Sequence, residues 1–303
     1  MNLVVRRVGL IGYGEVGRIL AEELRAQGIE VIAHDRKTGG DAEPLRRHAE
    51  DHGVRLVETA ADAVADAELV FSAVTARQAV PAAAAVADAL ASGALLVDLN
   101  SASPQAKQQA AALVDAGAGR YVEAAVMTSV PPHRLRVPML LGGPHADQGA
   151  EILQSLGFTQ VTAHDERLGI ASATKLCRSV VIKGLEAIMV ESLTTARAWG
   201  VEDAVLDSLA ETFPSIDWEQ QGDYFLHRVA QHGRRRSEEV AEAGAMVADT
   251  GLPGGTAAGA AEVQAWVADR ADDGSVTREP GHGWRELADQ LLAAARTRAA
   301  GQG

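Results

Sequence analysis

The amino-acid sequence predicts an α/β domain followed by an all-α domain. Up to about residue 162, short β-branched runs alternate with longer alanine-rich stretches, a pattern typical of βαβ units and a parallel sheet. After about residue 164, helical patterns fill the chain. In addition, three glycines spaced G-x-G-x-x-G follow the first predicted strand. We therefore predict one domain over residues 1–163 and a second over residues 164–303.

Eight short runs predict the strands of the first domain. They cover residues 4–12, 28–35, 54–57, 67–74, 93–100, 119–126, 137–143 and 158–163. The links between the last strands are short, which permits a mixed or antiparallel edge on an otherwise parallel sheet.

Helical patterns lie between and after these strands. They are predicted over residues 15–27, 76–92, 171–199, 201–213, 220–250, 256–270 and 284–300. The stretch over 171–199 is apolar on more than one face, which is typical of a buried helix rather than a half-solvated one.

The composition limits the classes of partner. Of the 303 residues, 47% are hydrophobic and 23% are charged, as in a folded globular protein. The net charge of −13 argues against nucleic acid or an anionic membrane as the main partner. No apolar run is long enough to span a bilayer, and the first strand is predicted to begin near Leu3, without a signal peptide before it. We expect a cytoplasmic protein that acts on a small-molecule substrate.

The single cysteine, Cys177, excludes a disulfide within the chain. Its apolar neighbours Leu176 and Val180 predict a buried, unreactive thiol, with a reactive thiol as the minor alternative. We predict no metal ion.

Gly12, Gly14 and Gly17 each suit one task in a dinucleotide-binding turn. Gly12 permits a tight turn, Gly14 lets the backbone approach a pyrophosphate, and Gly17 lets the helix pack closely on the strand. The N–H groups and the dipole at the helix start then attract the anion. A strand before the turn, a helix after it and Asp35 at the end of the next strand complete the pattern. The alternative is a surface turn without a ligand.

Asp35 is placed to accept hydrogen bonds from the adenosine ribose hydroxyls, or else is a solvated carboxylate at a strand end. As a ribose ligand it would repel a 2′-phosphate, which favours NAD. Arg36 and Lys37 follow at once and could hold that phosphate, and Arg36 could equally stack on adenine. We predict NAD as the cofactor, with NADP as the alternative.

Polar residues follow three further strands, at the edge where open α/β sheets bind ligands. The residues at these strand ends are Val74, Thr75, Asn100, Ser101, Ser103, Thr128 and Ser129. Val74 and Thr75 are placed to meet the nicotinamide ribose. Ser101 or Ser103 could instead cap the helix that follows, and both roles could hold at once.

Lys175 lies in a predicted helix that is too apolar to be exposed all round. Burial disfavours the ammonium form and lowers the pKa of a lysine, which makes it usable as a general acid or base near neutrality. Ser179 lies one turn later, and Lys183 lies a further turn along, partly on the same face. The alternative for Lys175 is a solvated charge without a catalytic role.

These residues resemble the motifs of the β-hydroxyacid dehydrogenases, which include 6-phosphogluconate and 3-hydroxyisobutyrate dehydrogenases. The stretch GLIGYGEVGRILAEELRAQG resembles their cofactor-binding signature, and DLNSASP resembles their substrate-binding segment. The stretch GIASATKLCRS aligns with their catalytic-helix motif G-x-G-x-x-x-K-x-x-x-N, with Gly169, Ala171, Lys175 and Ser179 in register. The second half is similar to a poorly characterised branch with a helical domain of unknown function. The resemblance covers most of the chain and implies an α/β Rossmann N-terminal domain plus an all-α C-terminal domain.

The resemblance implies an oxidoreductase that passes hydride between a hydroxyl-bearing carbon and a nicotinamide, while Lys175 exchanges the hydroxyl proton. It also implies a cleft between the domains and a homodimer formed through the helical domain. The implied cofactor-binding residues are Gly12, Tyr13, Gly14, Glu15, Val16, Gly17, Asp35, Arg36, Val74, Thr75 and Asn100. The implied substrate-binding residues are Ser101, Ala102, Ser103, Met127, Thr128, Ser129 and Lys183, and the implied catalytic residues are Lys175 and Ser179.

Two segments depart from the family pattern. Ser179 stands where the family has Asn, and a hydroxyl cannot reproduce the two-sided hydrogen bonding of an amide. Met127, Thr128 and Ser129 stand where the family has Ser-Gly-Gly, which indicates a reshaped pocket. The segment AAVMTSVPP resembles imine reductases of the same superfamily, but those generally lack the lysine. Lys175 therefore favours a small β-hydroxyacid-like substrate, with an imine reductase or a non-catalytic NAD(P)-binding protein as alternatives.

Arg234, Arg235 and Arg236 form a basic run in the second half. They could bind a carboxylate or phosphate of the substrate. The favoured alternative is a solvated patch or a set of salt bridges with the acidic body of the protein.

Overall fold

The computed structural model describes residues 5–39 and 42–300. The start of the first predicted strand, at Leu3 and Val4, lies outside the described residues. The chain divides into two compact units, of which the first extends through Lys175 and the second begins at Leu176.

The first unit is built on an eight-stranded sheet with the strand order 3-2-1-4-5-6-7-8. Seven strands fall within the predicted runs, and β8 begins within its run but ends two residues beyond it. The strands are β1 Arg7–Ile11, β2 Glu30–His34, β3 Arg55–Leu56, β4 Leu69–Ser72, β5 Leu95–Asp98, β6 Arg120–Val126, β7 Met139–Gly142 and β8 Val161–Asp165. Strands β1 to β6 are parallel, and the strand order reverses at β1. Ligands of open α/β sheets bind at such a reversal, outside the carboxyl ends of the strands.

Helices cover both faces of this sheet. They are α1 Glu15–Ala26, α2 Glu43–His52, α3 Ala60–Val64, α4 Ala79–Val86, α5 Pro104–Asp115 and α6 Ala146–Ser155. Alternate side chains of each strand enter opposite cores, as the two-residue period of a strand requires. Val8 and Leu10 pack with residues of α1 and α6 in one core, whereas Ile11 packs with residues of α3, α4 and α5 in the other.

The far edge of the sheet is mixed. Strand β7 runs antiparallel to β6, which confirms the antiparallel edge that the short link permits. Strand β8 is parallel to β7 because α6 lies in the link between them and returns the chain to the same end of the sheet.

The second unit is helical, as predicted. Its helices are α7 Ile170–Trp199, whose first turns belong to the sheet unit, α8 Glu202–Thr212, α9 Trp218–Asp249, α10 Gly255–Asp272 and α11 Trp284–Ala300. Their apolar side chains form one main core around the fully buried Trp284. Among the described residues, no helix is long and apolar enough to cross a membrane.

Helix α9 approaches its neighbours closely through glycines spaced three turns apart. A Cβ atom at Gly222 would lie 2.8 Å from Leu193, and one at Gly233 would lie 2.7 Å from the carbonyl oxygen of Gln264. The close packing of α9 on α10 therefore requires a glycine at position 233, and its packing on α7 requires one at position 222.

The predicted burial of Cys177 is wrong. Its side chain is exposed, whereas Leu176 is buried, because adjacent positions on a helix are about 100° apart and face different ways.

Candidate active site

The glycine turn lies at the carboxyl end of β1, where the strand order reverses. Gly12 has a φ of +96°, and a Cβ atom at this position would lie 2.3 Å from the carbonyl oxygen of Ala73. A Cβ atom at Gly17 would lie 2.2 Å from the carbonyl oxygen of Gly12. These two glycines are therefore required by the packing of the turn itself.

Gly14 differs from its two neighbours, because nothing lies within 4 Å of the position that its Cβ atom would occupy. It is exposed and is the N-cap of α1, and no side chain caps the helix. Glu15 and Val16 follow in the first turn, whose N–H groups have no partner within the helix. An open surface at an uncapped helix start fits the pyrophosphate of a dinucleotide.

Asp35, at the end of β2, closes the glycine turn. Its Oδ2 accepts a hydrogen bond from the Tyr13 N–H at 2.8 Å, and its Oδ1 accepts one from the Lys37 N–H at 2.9 Å. A carboxylate has further lone pairs, so the ribose-binding role stays open to it. Arg36 next to it is exposed, and its Nη1 donates to Gln78 Oε1 at 2.5 Å, which links the ends of β2 and β4.

The side chain of Tyr13, predicted to bind the cofactor, points into the protein from the glycine turn. The ring is fully buried, and the hydroxyl is 2.9 Å from His48 Nδ1. Burial raises the pKa of this hydroxyl far above its usual range, Arg18 opposes the shift in part, and Glu22 adds to it. Tyr13 thus contributes its backbone to the turn and its hydroxyl to the contact with α2.

Asn100 holds the two strand ends at the centre of the sheet together. Its Oδ1 accepts a hydrogen bond from the Val74 N–H at 2.6 Å, and its Nδ2 donates to Ser72 Oγ at 2.9 Å. Asn100 is buried, whereas Val74 is half-buried and Thr75 is exposed. The structure therefore places Asn100 in a positioning role, and it leaves Val74 and Thr75 at the edge where the nicotinamide ribose is predicted.

Asp98, at the end of β5, binds the backbone of Asn100 and two further residues, and the sequence did not predict these contacts. Its Oδ1 accepts hydrogen bonds from the Asn100 N–H at 2.8 Å and pairs with Lys107 Nζ at 2.9 Å. Its Oδ2 accepts a hydrogen bond from the Tyr121 hydroxyl at 2.6 Å. Burial, reinforced by Asp98, raises the pKa of Tyr121 well above its usual value, so this donor keeps its proton. A buried carboxylate with three partners fixes the end of β5.

Lys175 reaches the same edge of the sheet. Its Nζ donates a hydrogen bond to Ser101 Oγ at 2.6 Å, and both side chains are half-buried. This contact joins two residues that are 74 positions apart and that were predicted separately as catalytic and substrate-binding.

Glu123 anchors the helix that carries Lys175, and no motif in the sequence points to this residue. This fully buried carboxylate on β6 accepts hydrogen bonds from the Ala171 N–H and the Ser172 hydroxyl, both at 2.9 Å. It thus caps the N-terminus of α7 from another element, where a negative charge also interacts favourably with the helix dipole. The boundary between the units falls within α7, and not at the predicted 163/164, because these first turns are bound to the sheet.

The remaining predicted substrate-binding residues divide by exposure. Ser103 caps α5 by accepting a hydrogen bond from the Ala106 N–H at 3.3 Å, as the structural alternative predicted, and Ala102 is buried. Thr128 and Ser129 are exposed just beyond β6, and Met127 is half-buried. The loop after β6 therefore has free polar side chains to offer a ligand, whereas Ala102 has none.

Ser179 and Lys183, predicted as catalytic and substrate-binding, form a buried pair in the helical unit. Lys183 Nζ donates to Ser179 Oγ and pairs with Glu239 Oε2 on α9 at 2.9 Å. Burial lowers the pKa of Lys183, and the charge of Glu239 opposes this shift only in part. Both side chains therefore have partners within the protein.

Arg234, Arg235 and Arg236 are paired with carboxylates, as the salt-bridge alternative predicted. Arg234 contacts two aspartates of α10, and Arg235 lies 3.6 Å from Glu239. Arg236 is buried, and its Nε donates to the fully buried Glu186 at 2.8 Å.

Two family descriptions match the chain and together cover most of it. Residues 7–161 match the NAD binding domain of 6-phosphogluconate dehydrogenase. Residues 196–267 match a domain of unknown function, DUF1932. The first match spans strands β1 to β7 with the glycine turn, and the second lies in the helical unit.

The chain belongs to the β-hydroxyacid dehydrogenase superfamily. Its helical C-terminal domain places it in the branch predicted from the sequence. The crystal structure of a conserved hypothetical protein from Sinorhizobium meliloti 1021 is similar over 96% of this chain and 97% of that chain, with 34% sequence identity and a TM-score of 0.79.

Other solved structures of this superfamily share the fold at lower sequence identity. The 3-hydroxyisobutyrate dehydrogenase of Mycobacterium tuberculosis is 16% identical, with a TM-score of 0.67, and the comparison covers 96% of this chain and 99% of that one. An imine reductase from Streptomyces aurantiacus is 19% identical, with a TM-score of 0.54 over 95% and 99% of the two chains. The chain thus belongs to a family of NAD(P)-binding dehydrogenases.

Proposed function

We propose that this superfamily member is an NAD(P)-dependent oxidoreductase that transfers hydride between the nicotinamide and a small β-hydroxyacid-like substrate, with Lys175 as the general acid or base. The observation that carries the proposal is the 2.6 Å hydrogen bond from Lys175 Nζ to Ser101 Oγ. It brings a proton-exchanging group to the carboxyl end of β5, next to the strands whose ends meet a dinucleotide in this fold.

The binding of the cofactor is assigned to the glycine turn and the ends of β2 and β4. The open Gly14 and the uncapped N-terminus of α1 hold the pyrophosphate, and Asp35 accepts hydrogen bonds from the adenosine ribose. Val74 and Thr75 line the nicotinamide end, and Asn100 fixes them there. When bound, the nicotinamide accepts or supplies the hydride.

Lys175 handles the proton. In oxidation, the neutral Lys175 Nζ takes the proton of the substrate hydroxyl while the carbon loses hydride, so the alcohol becomes a carbonyl. In reduction, the Lys175 ammonium returns that proton to the carbonyl oxygen. Ser101 orients the Nζ atom, and Thr128 and Ser129 on the next strand end offer hydroxyls to the substrate carboxylate.

The first prediction concerns Lys175. In Lys175→Ala, kcat is expected to fall by at least about 100-fold, because the general acid–base contribution is lost. The Kd for NADH is expected to stay within about twofold, because the lysine lies at the substrate end of the site. Both quantities are measured on the same preparations, kcat with a panel of hydroxyacids and alcohols, and Kd by fluorescence titration. Full turnover in the variant would exclude the general-base role.

The cofactor is proposed to be NAD. Asp35 carries its negative charge beside the ribose position, and this charge opposes a 2′-phosphate. The guanidinium of Arg36 donates a hydrogen bond to Gln78 Oε1, so it already has a partner within the protein. Titration with NADH and NADPH tests the assignment, and a clear preference for NADPH would contradict it.

Imine reduction is the second candidate, and the loop after β6 favours it. Met127, Thr128 and Ser129 replace the Ser-Gly-Gly of the hydroxyacid enzymes and leave two exposed hydroxyls there. Turnover of cyclic imines, with no turnover of hydroxyacids and no effect of Lys175→Ala, would support this reading. Tight NADH binding without turnover of either substrate class would instead support a non-catalytic NAD(P)-binding protein.

The proposal includes a homodimer formed through the helical unit. Every large hydrophobic side chain that is exposed among the described residues belongs to this unit. Val181, Leu185 and Ile188 lie on one face of α7 at helical spacing, and Val181 and Ile188 are 59% and 52% exposed. Contact with the same face of a second copy would remove these apolar side chains from water. The cytoplasmic location stays a prediction from the sequence.

A further inference from the structure

Three potential metal ligands converge on the outer side of the sheet unit, away from Lys175 in sequence and in role. His48 and His52 are one turn apart on α2, and Glu22 lies on α1, which packs beside it. One ligand atom from each of the three residues can be chosen so that all lie within 4.8 Å of one another. Helices α1 and α2 therefore bring two imidazoles and one carboxylate close together.

His48 has the orientation that a ligating histidine needs. Its Nε2 lies 3.0 Å from Glu22 Oε1, on the side of the cluster, and its Nδ1 lies 2.9 Å from the Tyr13 hydroxyl. With the proton on Nδ1 donated to Tyr13, the Nε2 lone pair is free for a cation. Histidine ligands of metals are commonly held in this way by a hydrogen bond from the other ring nitrogen.

Glu22 has one oxygen for the cluster and one for a fixed cation. Its Oε2 is 2.6 Å from Arg134 Nη2, while its Oε1 faces His48. The Glu22 carboxylate is thus held by Arg134 on one side and open to the two histidines on the other.

We propose that Glu22, His48 and His52 form a binding site for one divalent transition-metal ion, for which Zn²⁺ is the probe. Imidazole nitrogens with a carboxylate oxygen suit zinc and its neighbours rather than Mg²⁺ or Ca²⁺. Three protein ligands leave a fourth tetrahedral position for water. Ligand–metal distances of about 2.0–2.2 Å require the three atoms to approach by a side-chain rotation of the exposed His52. The sequence predicted no metal, because the carboxylate and the histidines are far apart in the chain.

The site has a structural consequence that is independent of the proposed oxidoreductase activity. A bound ion clips α1 to α2, and its ligand His48 holds Tyr13 of the glycine turn. The backbone N–H of Tyr13 is in turn bound to Asp35. Zinc would therefore stabilise the adenosine side of the sheet unit.

The test measures zinc binding by the full chain after removal of metals with a chelator. Wild type, His52→Gln and the control His164→Gln, which changes an exposed histidine of β8, compete with a chromogenic zinc chelator for ZnCl₂. Wild type and the control are expected to bind one equivalent, at least tenfold more tightly than His52→Gln. The midpoint of thermal unfolding is expected to rise with zinc in wild type and in the control only.

Two further measurements fix the ligand set. Glu22→Gln is expected to weaken zinc binding by at least tenfold while circular dichroism stays unchanged. X-ray absorption of the zinc-loaded wild type is expected to show two imidazoles and oxygen ligands. Equal affinity of wild type and His52→Gln, loss of affinity in His164→Gln, or a coordination shell without two imidazoles would each overturn the proposal, whether or not the protein proves to be an oxidoreductase.

Discussion

Gly12, Gly14 and Gly17 share one turn but meet different surroundings. The protein itself fills the space around Gly12 and Gly17, because carbonyl oxygens lie 2.3 and 2.2 Å from their Cβ positions. The space around Gly14 is open to the solvent. Gly12 and Gly17 are therefore needed for packing within the protein, whereas Gly14 leaves space for a ligand at the turn.

This difference predicts opposite effects for two substitutions. Gly17→Ala is expected to destabilise the protein by about 1–3 kcal/mol in urea unfolding, because a backbone oxygen must move. Gly14→Ala is expected to change stability by less than about 0.5 kcal/mol, since its φ of −74° suits alanine. The same Gly14→Ala is expected to weaken NADH binding by at least tenfold, because the new methyl group occupies the approach of the pyrophosphate. Unchanged NADH affinity would contradict the assignment of this turn.

The burial of Lys183 makes the stability of the protein depend on pH. Its folded pKa is lowered below the 10.5 of an unfolded lysine. Between the folded and unfolded pKa values, the unfolded chain binds more protons than the native protein, so stability rises with pH through that window. The contribution of the buried amine is thus least favourable at low pH and improves as pH rises toward 10.5.

Replacing Lys183 by Met is expected to remove this pH dependence. Lys183→Met keeps the length of the side chain and leaves Glu239 paired with Arg235. Urea unfolding from neutral to alkaline pH is expected to show a rise in stability for wild type that the variant lacks. Lys37→Met, at an exposed lysine, is the control and is expected to follow wild type. A parallel rise in Lys183→Met would show that other groups cause it.

At the scale of elements, α7 owes its position to a strand. Glu123 on β6 binds the first turn of α7, and Lys175 follows one turn later. The Glu123 carboxylate lies over Gly142 on the neighbouring strand, where a Cβ atom would be 2.3 Å from it, so the missing side chain makes space for the carboxylate. The contact between Lys175 and Ser101 therefore depends on how Glu123 holds the first turn of α7.

Glu123→Gln is expected to lower stability by about 1–2 kcal/mol, because an amide loses the charge-assisted acceptor at the helix start. It is also expected to lower kcat with little change in the Kd for NADH, because the first turn of α7 loosens. Amide hydrogen exchange at Ala171 and steady-state kinetics measure the two effects. Glu151→Gln, at an exposed glutamate of α6, is the control. Loss of stability without faster exchange at Ala171 would refute the capping role.

The elements that could be predicted from the sequence are those with strong periodicity. All eight strands were found because buried parallel strands are short β-branched runs between breaks. The helices of the second unit were found because their apolar positions recur at helical spacing. No helix was predicted over α2, α3 or α6. Charged residues dominate α2, α3 has only five residues, and α6 lies between two strands whose link was predicted to be short. Their positions are decided by the strands that they connect.

The site was predictable where one local motif carries the chemistry, as in the glycine turn. It was not predictable where the partners are distant in the chain. Asp98, Lys107 and Tyr121 come together only when β5, α5 and β6 are in register, and each looks like an ordinary surface residue in the sequence. The pairing of Lys183 with Glu239 likewise depends on the packing of α7 against α9.

At the scale of the whole molecule, the exposed apolar surface belongs to one unit. Ile188→Glu is expected to convert the proposed homodimer into a monomer in light scattering, because a charge on the α7 face resists desolvation. Glu191→Gln on the same helix is the control and is expected to remain dimeric. Circular dichroism is expected to be the same for all three proteins. A monomeric wild type at micromolar concentration would contradict the proposed interface.

The reversal of strand order at β1 also orders events during biosynthesis. The glycine turn follows β1 directly, but its neighbour on one side is β4, and Asn100 beyond β5 holds the segment that follows β4. A nascent chain therefore cannot present a finished nucleotide site until about one third of it has left the ribosome and two long loops have closed. Once the site has formed, bound nucleotide raises the free energy of unfolding by about 2.7 kcal/mol at a nucleotide concentration of 100 Kd.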